Sequence, residues 1–150
     1  MATAKGTIIV TGANGGLGRA IASRIAASTE LSAYHGIYTV RDASTAVIPA
    51  LTSTSHAHDT ISLDLSKLDG VRAAAASINA RVAAHEIPPI RALILNAGYQ
   101  ELDAQRWTED GFAMTFASNY LGHWLLTLLL LQSMDKEHGR IVVLGSSAHE

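Results

Sequence analysis

The eight residues TGANGGLG, 11–18, carry four of the twelve glycines of this chain and separate two segments of different periodicity. Before them, TIIVT (7–11) is a short apolar run rich in β-branched residues, which is typical of a buried strand. After them, RAIASRIAAS (19–28) repeats its apolar residues with the period of a helix. A glycine-rich turn between a strand and a helix is the context in which such a pattern predicts a dinucleotide site.

The glycines of this turn have separate physical uses. Gly12 permits a tight turn, Gly16 lets the backbone approach a pyrophosphate, and Gly18 lets the helix pack close to the sheet. The first N–H groups of the helix have no partner inside it, so they are available to the phosphates. The alternative is a structural turn in which the glycines are incidental.

Strand and helix patterns alternate along the rest of the chain. Strands are expected at 36–40, 60–63, 91–95 and 140–144, and helices at 66–84, with Ser66 as its N-cap, and at 110–134. Residues 42–59 are rich in Ser, Thr and Ala and are expected to form a loop with room for a short helix. The alternation predicts an α/β fold with a doubly wound parallel sheet and helices on both faces. For this sheet we expect the Rossmann-like order 3-2-1-4-5, in one domain over residues 1–150 that is truncated after its fifth strand.

Composition narrows the classes of function. Hydrophobic residues make up 48% of the chain and charged residues 16%, which indicates a globular protein. The formal net charge of -2 gives no electrostatic reason to expect a nucleic-acid partner. Without cysteine there is no disulfide or thiolate site, and His56 and His58 are expected to be solvated, so no metal site is predicted. With no signal-peptide pattern and an apolar run (124–131) too short to span a bilayer, a cytoplasmic protein is expected.

Polar residues at the ends of two strands bear on the choice of dinucleotide. Arg41 follows the second strand and is placed to pair with a 2′-phosphate, which favours NADP; Asp42, one residue later, leaves NAD as the alternative. The other reading of Arg41 is a solvated loop arginine. Asp64, followed by Leu65, ends the third strand, where it can accept a hydrogen bond from an adenine amino group, cap the next helix, or do both.

Four stretches together resemble the short-chain dehydrogenase/reductase superfamily. TGANGGLG is similar to the family's TGxxxGxG, and Asn96-Ala97-Gly98 resembles its NNAG, with Leu95 in place of the first Asn. Residues 108–127 resemble the retinol-dehydrogenase-like members, and GRIVVLGS (139–146) resembles GRIVNVSS. The likeness runs from about Lys5 to Glu150.

The resemblance implies an oxidoreductase that passes hydride between NADP(H) and a carbonyl or secondary alcohol on a small apolar molecule. It assigns Asn119 and Ser146 to the family's catalytic tetrad, and it implies a homodimer through the helix around Asn119 to Leu131. His123, four residues after Asn119, is expected to be a packing or interface residue. The expected cofactor-binding residues are Thr11, Gly12, Asn14, Gly15, Gly16, Leu17, Gly18, Arg41, Asp64, Leu65, Asn96, Ala97 and Gly98.

The chain departs from the family pattern in one respect. None of its four tyrosines is followed four residues later by a lysine, so the tyrosine and lysine of the tetrad have no counterpart. These residues therefore resemble the N-terminal part of a reductase, with residues 141–144 as an exposed apolar edge, and the 150-residue chain alone is expected to be inactive. The alternatives are a dinucleotide-binding sensor without catalysis and an inactive remnant.

Overall fold

A five-stranded parallel sheet organises the chain in the computed structural model, which describes residues 4–146. The strand order is β3-β2-β1-β4-β5, which confirms the expected order. The bounds are Thr7–Val10 for β1, His35–Val40 for β2, His58–Ser62 for β3, Ile90–Leu95 for β4 and Arg140–Val143 for β5. In the central register Ile9 of β1 lies opposite Ile37 of β2 and Leu93 of β4.

Helices cover both faces of the sheet, each against its own apolar cluster. On one face α1 (Gly16–Ala27) packs its Ile25 into a cluster with Ile8, Val10 and Tyr38. On the other face lie α2 (Leu68–Ala83) and the long helix α3 (Met114–Ser133). This two-sided covering makes the sheet doubly wound and explains why β1, buried in all four residues, is apolar without alternation.

The helix α3 changes its winding along its length. It starts with a short α-helical piece, passes through a π turn at Ala117–Leu121, continues as α-helix over Gly122–Leu130 and ends in a 3₁₀ turn. π turns often lie at functional sites. The helix has 20 residues and a mean hydropathy of 1.2 in its most apolar window, so by length and composition alone it is able to cross a membrane. Core helices of globular domains meet the same criteria, and Leu126 and Leu130 of this one are buried against the sheet.

Several element limits differ from those expected. The first helix begins at Gly16, three residues earlier than expected, because the last glycines of the stretch 11–18 form its first turn. The third strand begins two residues earlier than expected, and two 3₁₀ turns, Leu31–Ala33 and Pro49–Leu51, occupy connecting segments. Ser66 is not the N-cap of α2, since Lys67 takes that position and the Ser66 hydroxyl donates to the Asp64 carboxylate at 2.7 Å.

The expectation that His56 and His58 are solvated was wrong. His56 is buried, its Nε2 lies 2.9 Å from the Tyr38 hydroxyl, and its Nδ1 lies 3.2 Å from the Ser32 carbonyl oxygen. His58 is half-buried and stacks on the His56 ring. The Ser/Thr-rich segment between β2 and β3 packs against β2, and its polar composition did not predict this burial.

Candidate functional site

A cleft of about 380 Å³ opens at the carboxyl edge of the sheet, where open α/β sheets bind ligands. It lies between the glycine turn, the ends of β2 and β3, and the turn after β4. Twelve of the thirteen residues expected to bind cofactor line it, and the thirteenth, Thr11, is buried next to them. The lining residues are Gly12, Asn14, Gly15, Gly16, Leu17, Gly18, Val40, Arg41, Leu63, Asp64, Leu65, Asn96, Ala97, Gly98, Tyr99 and Ser118.

The glycine turn is shaped by contacts that leave no room for side chains. Gly12 has a φ of +66°, and a Cβ there would lie 2.8 Å from Cα of Ala97. A Cβ on Gly18 would meet the Gly12 carbonyl oxygen and lie 2.7 Å from Nδ2 of Asn96. A Cβ on Gly16, in contrast, would meet nothing within 4 Å. Gly12 and Gly18 are therefore required by the fold of the turn, and Gly16 leaves space on the cleft side.

Thr11 joins the ends of the two central strands. Its hydroxyl oxygen accepts the backbone N–H of Asn96 at 2.9 Å and that of Ala97 at 3.0 Å. The Asn96 side chain returns the contact, because its Nδ2 donates to the carbonyl oxygens of Thr11 and Gly12 at 2.9 and 3.3 Å. These bonds fix the glycine turn against the turn after β4, and both turns line the cleft.

His123 extends this network to α3. Its ring is buried, Nε2 lies 2.8 Å from Oγ1 of Thr11, and Nδ1 lies 3.3 Å from the carbonyl oxygen of Asn119. Burial lowers the pKa of His123 below its usual value, and the bond to Asn119 only partly opposes that shift. The ring is therefore held in its neutral form at neutral pH.

Asn119 clamps the backbone of the segment that follows β4. Its Oδ1 accepts the N–H of Tyr99 at 2.7 Å, and its Nδ2 donates to the Tyr99 carbonyl oxygen at 2.8 Å. The side chain thus forms a two-bond bridge to a cleft wall, although Asn119 itself does not line the cleft. The π turn brings its neighbour Ser118 onto the cleft surface.

Arg41 and Asp42 differ in where their charges lie. Arg41 lines the rim of the cleft and is exposed. Asp42 is not among the lining residues, and its Oδ1 accepts both the N–H and the hydroxyl of Ser44, at 2.9 and 2.6 Å. These hydrogen bonds lower the pKa of Asp42 and hold its carboxylate in a local turn. Asp64 lines the cleft, but one of its oxygens is likewise used by Ser66.

Ser146 is the last described residue and is exposed just beyond β5. The strand pairing reaches Leu144, whose N–H donates to Leu95 at 3.1 Å, and Ser146 follows two residues later without lining the cleft. Within residues 4–146, no group of three or more His, Cys, Asp or Glu side chains is arranged to hold a metal ion.

Sequence reasoning missed two residues that shape this site. The first is His123, whose position one turn from Asn119 indicated a shared helix face but not the bond to Thr11. The second is Gly122, where a Cβ would meet the Leu65 carbonyl oxygen and lie 2.9 Å from the Leu65 Cβ. A glycine inside an apolar helix pattern was the available signal, because such a residue usually has a packing reason.

Comparison with known proteins places the chain in a family. A family model described as short chain dehydrogenase matches residues 6–150. The chain belongs to this family. Short-chain dehydrogenase iccH of Talaromyces variabilis is 58% identical over 153 residues, which cover 97% of this chain and 42% of that protein. Protochlorophyllide reductase of Cucumis sativus is 33% identical over 95% of this chain and 35% of its own length.

Solved structures give the same family fold. An uncharacterised protein from Mycobacterium Paratuberculosis matches with a TM-score of 0.73 and 31% identity over 97% of this chain and 48% of that one. A metagenomic short-chain oxidoreductase in complex with NADP matches with a TM-score of 0.72 over 98% and 64%; at 23% identity it supports the fold alone. The chain spans less than half the length of the two curated short-chain relatives named above.

Proposed function

We propose that this chain is the dinucleotide-binding part of an oxidoreductase that passes hydride between NADP(H) and a carbonyl or secondary alcohol on a small apolar molecule. The observation that carries the proposal is the cleft itself. Residues singled out from glycine spacing, from strand ends and from the family resemblance converge on one cavity of about 380 Å³ at the sheet edge. That position is where doubly wound sheets bind nucleotides.

The residues of the cleft fit such a cofactor. The N-terminus of α1 at Gly16 opens on the cleft and offers N–H groups and the positive end of the helix dipole to a pyrophosphate. Asp64 and Leu65 form the wall for an adenine, and Asn96 to Gly98 form the wall for its ribose. When bound, the cofactor supplies the hydride; the protein residues orient it and exclude water from it.

A preference for NADP is supported by the contrast between Arg41 and Asp42. A 2′-phosphate needs a nearby cation, and Arg41 lies on the cleft rim. An NAD-preferring site needs a carboxylate for the ribose hydroxyls, but Asp42 is engaged with Ser44 outside the cleft lining. The alternative that Asp42 selects NAD would require its carboxylate, which is held toward Ser44 through Oδ1, to reach a cleft that it does not line.

An apolar substrate agrees with the names of two relatives. Besides protochlorophyllide reductase, a polyprenol dehydrogenase of Danio rerio is 41% identical over 92 residues, 58% of this chain. Both names refer to apolar molecules. Asn119 and Ser146 are proposed to serve the proton transfer, as the family resemblance implies. Since the 150 residues hold no Tyr-x-x-x-Lys, we expect them to bind dinucleotide without turning it over.

The test is a titration of the 150-residue chain with NADPH and with NADH, followed by cofactor fluorescence. We expect NADPH to bind more tightly and Arg41→Ala to weaken NADPH alone by about 10- to 100-fold, the effect of losing a charge-assisted pair. Asp42→Ala is the matched control one residue away and should leave the preference unchanged. Equal weakening of NADH by Arg41→Ala, or a preference reversed by Asp42→Ala, would contradict the NADP assignment.

Measurements of cofactor binding and of turnover distinguish an oxidoreductase from a dinucleotide-binding sensor. Binding without turnover in this chain, together with activity in a longer form carrying Tyr-x-x-x-Lys, supports the oxidoreductase. Binding without turnover in every form the cell makes favours a dinucleotide-binding sensor. An absence of binding to either nucleotide would contradict both.

A further inference from the structure

The Thr11 hydroxyl has more neighbours than it has hydrogen-bonding positions. Its oxygen lies within 3.0 Å of two backbone N–H groups and 2.8 Å from Nε2 of His123, and it lies 3.5 Å from the Ile94 carbonyl oxygen. A hydroxyl has one proton to donate and two lone pairs to accept with. The N–H groups of Asn96 and Ala97 use both lone pairs, so the proton must go to His123 or to Ile94.

Geometry selects His123 as the acceptor. The contact to His123 is 0.7 Å shorter than the contact to Ile94, and the Ile94 carbonyl already accepts the backbone N–H of Thr11 at 3.0 Å. An acceptor at Nε2 requires the ring proton on Nδ1, where the Asn119 carbonyl oxygen lies 3.3 Å away to receive it. With this assignment every donor in the network from α3 through Thr11 to the end of β4 has an acceptor.

The bonded atoms belong to the walls of the cleft. Asn96 and Ala97 line it on one side and Gly12 lines it on the other. These walls are in close contact, because a Cβ on Gly12 would lie only 2.8 Å from Cα of Ala97. A change in how Thr11 holds Asn96 and Ala97 therefore changes the shape of the cleft directly.

We propose that His123 is a positioning residue for the dinucleotide cleft. Its Nε2 accepts the hydrogen bond from the Thr11 hydroxyl, so both lone pairs of that oxygen remain for the N–H groups of Asn96 and Ala97. These bonds hold the glycine turn and the turn after β4 at their spacing. His123 does not line the cleft; it acts through Thr11. This inference rests on the proposed function for its ligand, but the hydrogen-bond network can be tested without one.

Two amide variants of His123 place a polar group at different distances from the Thr11 hydroxyl. The amide of His123→Gln lies near the Nε2 position and can accept the Thr11 proton, whereas the amide of His123→Asn lies near Nδ1 and stops short of it. At conditions where both variants are folded by circular dichroism, we expect Gln to keep the NADPH dissociation constant within about 3-fold and Asn to raise it by about 10-fold or more. The packing control is His123→Met, which has the length of Gln but no amide to accept the Thr11 proton. A role in packing alone predicts that Met keeps the dissociation constant as Gln does, and that result would overturn the proposal.

A double-mutant cycle tests whether His123 acts through Thr11. Thr11→Val removes the hydroxyl and should itself weaken NADPH binding. In that background His123→Asn should add less than about a 2-fold loss, since the partner through which it acts is gone. Fully additive losses would overturn the proposal.

Amide hydrogen exchange and ring NMR give a readout that needs no cofactor. We expect the N–H groups of Asn96 and Ala97 to exchange faster in His123→Asn than in His123→Gln or in the unsubstituted chain. The ring ¹⁵N shifts of unsubstituted His123 should report the neutral Nδ1–H tautomer. An Nε2–H tautomer in the unsubstituted chain would overturn the proposal without any variant. Equal exchange in all three proteins would overturn it as well. If the chain bound no NADPH, these measurements would still decide the role of His123, and only the proposed function would fall.

Discussion

His56 is held as a neutral base beneath β2. It is 3% exposed, Nδ1 donates to the Ser32 carbonyl, and Nε2 accepts the Tyr38 hydroxyl proton. Burial lowers the pKa of His56, the Ser32 bond opposes this, and the nearby rings of His58 and His35 add to the lowering. Burial also raises the pKa of Tyr38 well above its usual value, so the hydroxyl remains the donor of the pair.

Acid should therefore destabilise the fold through His56. With the folded pKa below the unfolded value of about 6.5, the unfolded chain binds more protons as the pH falls below that value. The free energy of unfolding should fall with a slope approaching about 1.4 kcal/mol per pH unit for this histidine. Urea unfolding between pH 7.5 and 5.5 measures the slope, which His56→Gln should reduce.

The matched control is His85, which is exposed and has a φ of 57°. Asparagine adopts that left-handed conformation readily, so His85→Asn changes the histidine count without strain. It should leave the slope unchanged. A slope that His56→Gln does not reduce would mean that His56 binds protons equally in the folded and the unfolded chain, and so that its pKa is not lowered by folding.

At this scale the sequence predicted which residues line the cleft better than it predicted what they do. Glycine spacing, strand ends and the family resemblance together located twelve of the lining residues. The glycine turn follows from local turn chemistry, whereas Asn96, Ala97 and Gly98 came from the resemblance. The bond between Thr11 and His123 joins positions 112 residues apart, and no local pattern carries it. Asp42 shows a different limit: its bonds to Ser44 are local, but only the fold reveals that its side chain does not line the cleft.

Helix α3 lies unusually close to the loop after β3, and one glycine makes that approach available. A Cβ at Gly122 would meet the Leu65 backbone, so the helix there rests directly on a residue of the cleft wall. Asn119 and His123, which flank Gly122, reach Tyr99 and Thr11 only because of this approach. The helix therefore positions the site through its backbone as well as its side chains.

Gly122→Ala should push α3 away from Leu65. We expect a loss of about 1–3 kcal/mol in the free energy of unfolding, typical of overpacking, together with weaker NADPH binding. Gly70→Ala in α2 is the control, because its Cβ would meet only Lys67 at 3.8 Å. That change should stabilise the chain by about 0.5–1 kcal/mol, the usual gain for alanine inside a helix. Chemical unfolding of both variants measures the difference, and equal stabilisation would contradict the close contact.

The order of the elements followed from periodicity, but their ends did not. Apolar runs separated by helical patterns were sufficient for a parallel sheet covered on both faces, but the order β3-β2-β1-β4-β5 is one of several that share this alternation. The π turn at Ala117–Leu121 lies where α3 contacts Tyr99 and Leu65, and local propensity does not contain those contacts. The shift of the N-cap to Lys67 is different, because Ser66 is held by Asp64 two residues away in a local turn.

At the scale of the whole fold, two apolar surfaces are exposed within the part of the chain that the structure describes. One is the helix face formed by Phe116, Tyr120, Trp124 and Leu128, spaced four residues apart along α3, each about half exposed. The other is the edge strand β5, where Val143 is 71% exposed. Apolar patches of this kind are uncommon on a monomer, and an open strand edge is a template for pairing.

We expect the 150-residue chain to associate with itself through the helix face. Four large side chains on one stripe give an apolar surface that a second copy can match by twofold symmetry. Trp124→Lys should therefore shift the sedimentation profile toward monomer, whereas Val143→Lys, which places a charge on the strand edge, should leave the profile unchanged. The opposite pattern would assign association to β5, and a monomer at every concentration before substitution would contradict both surfaces. Because Trp124 and Val143 are both exposed, neither change removes a core contact, so a shift in sedimentation reports the interface and not the fold.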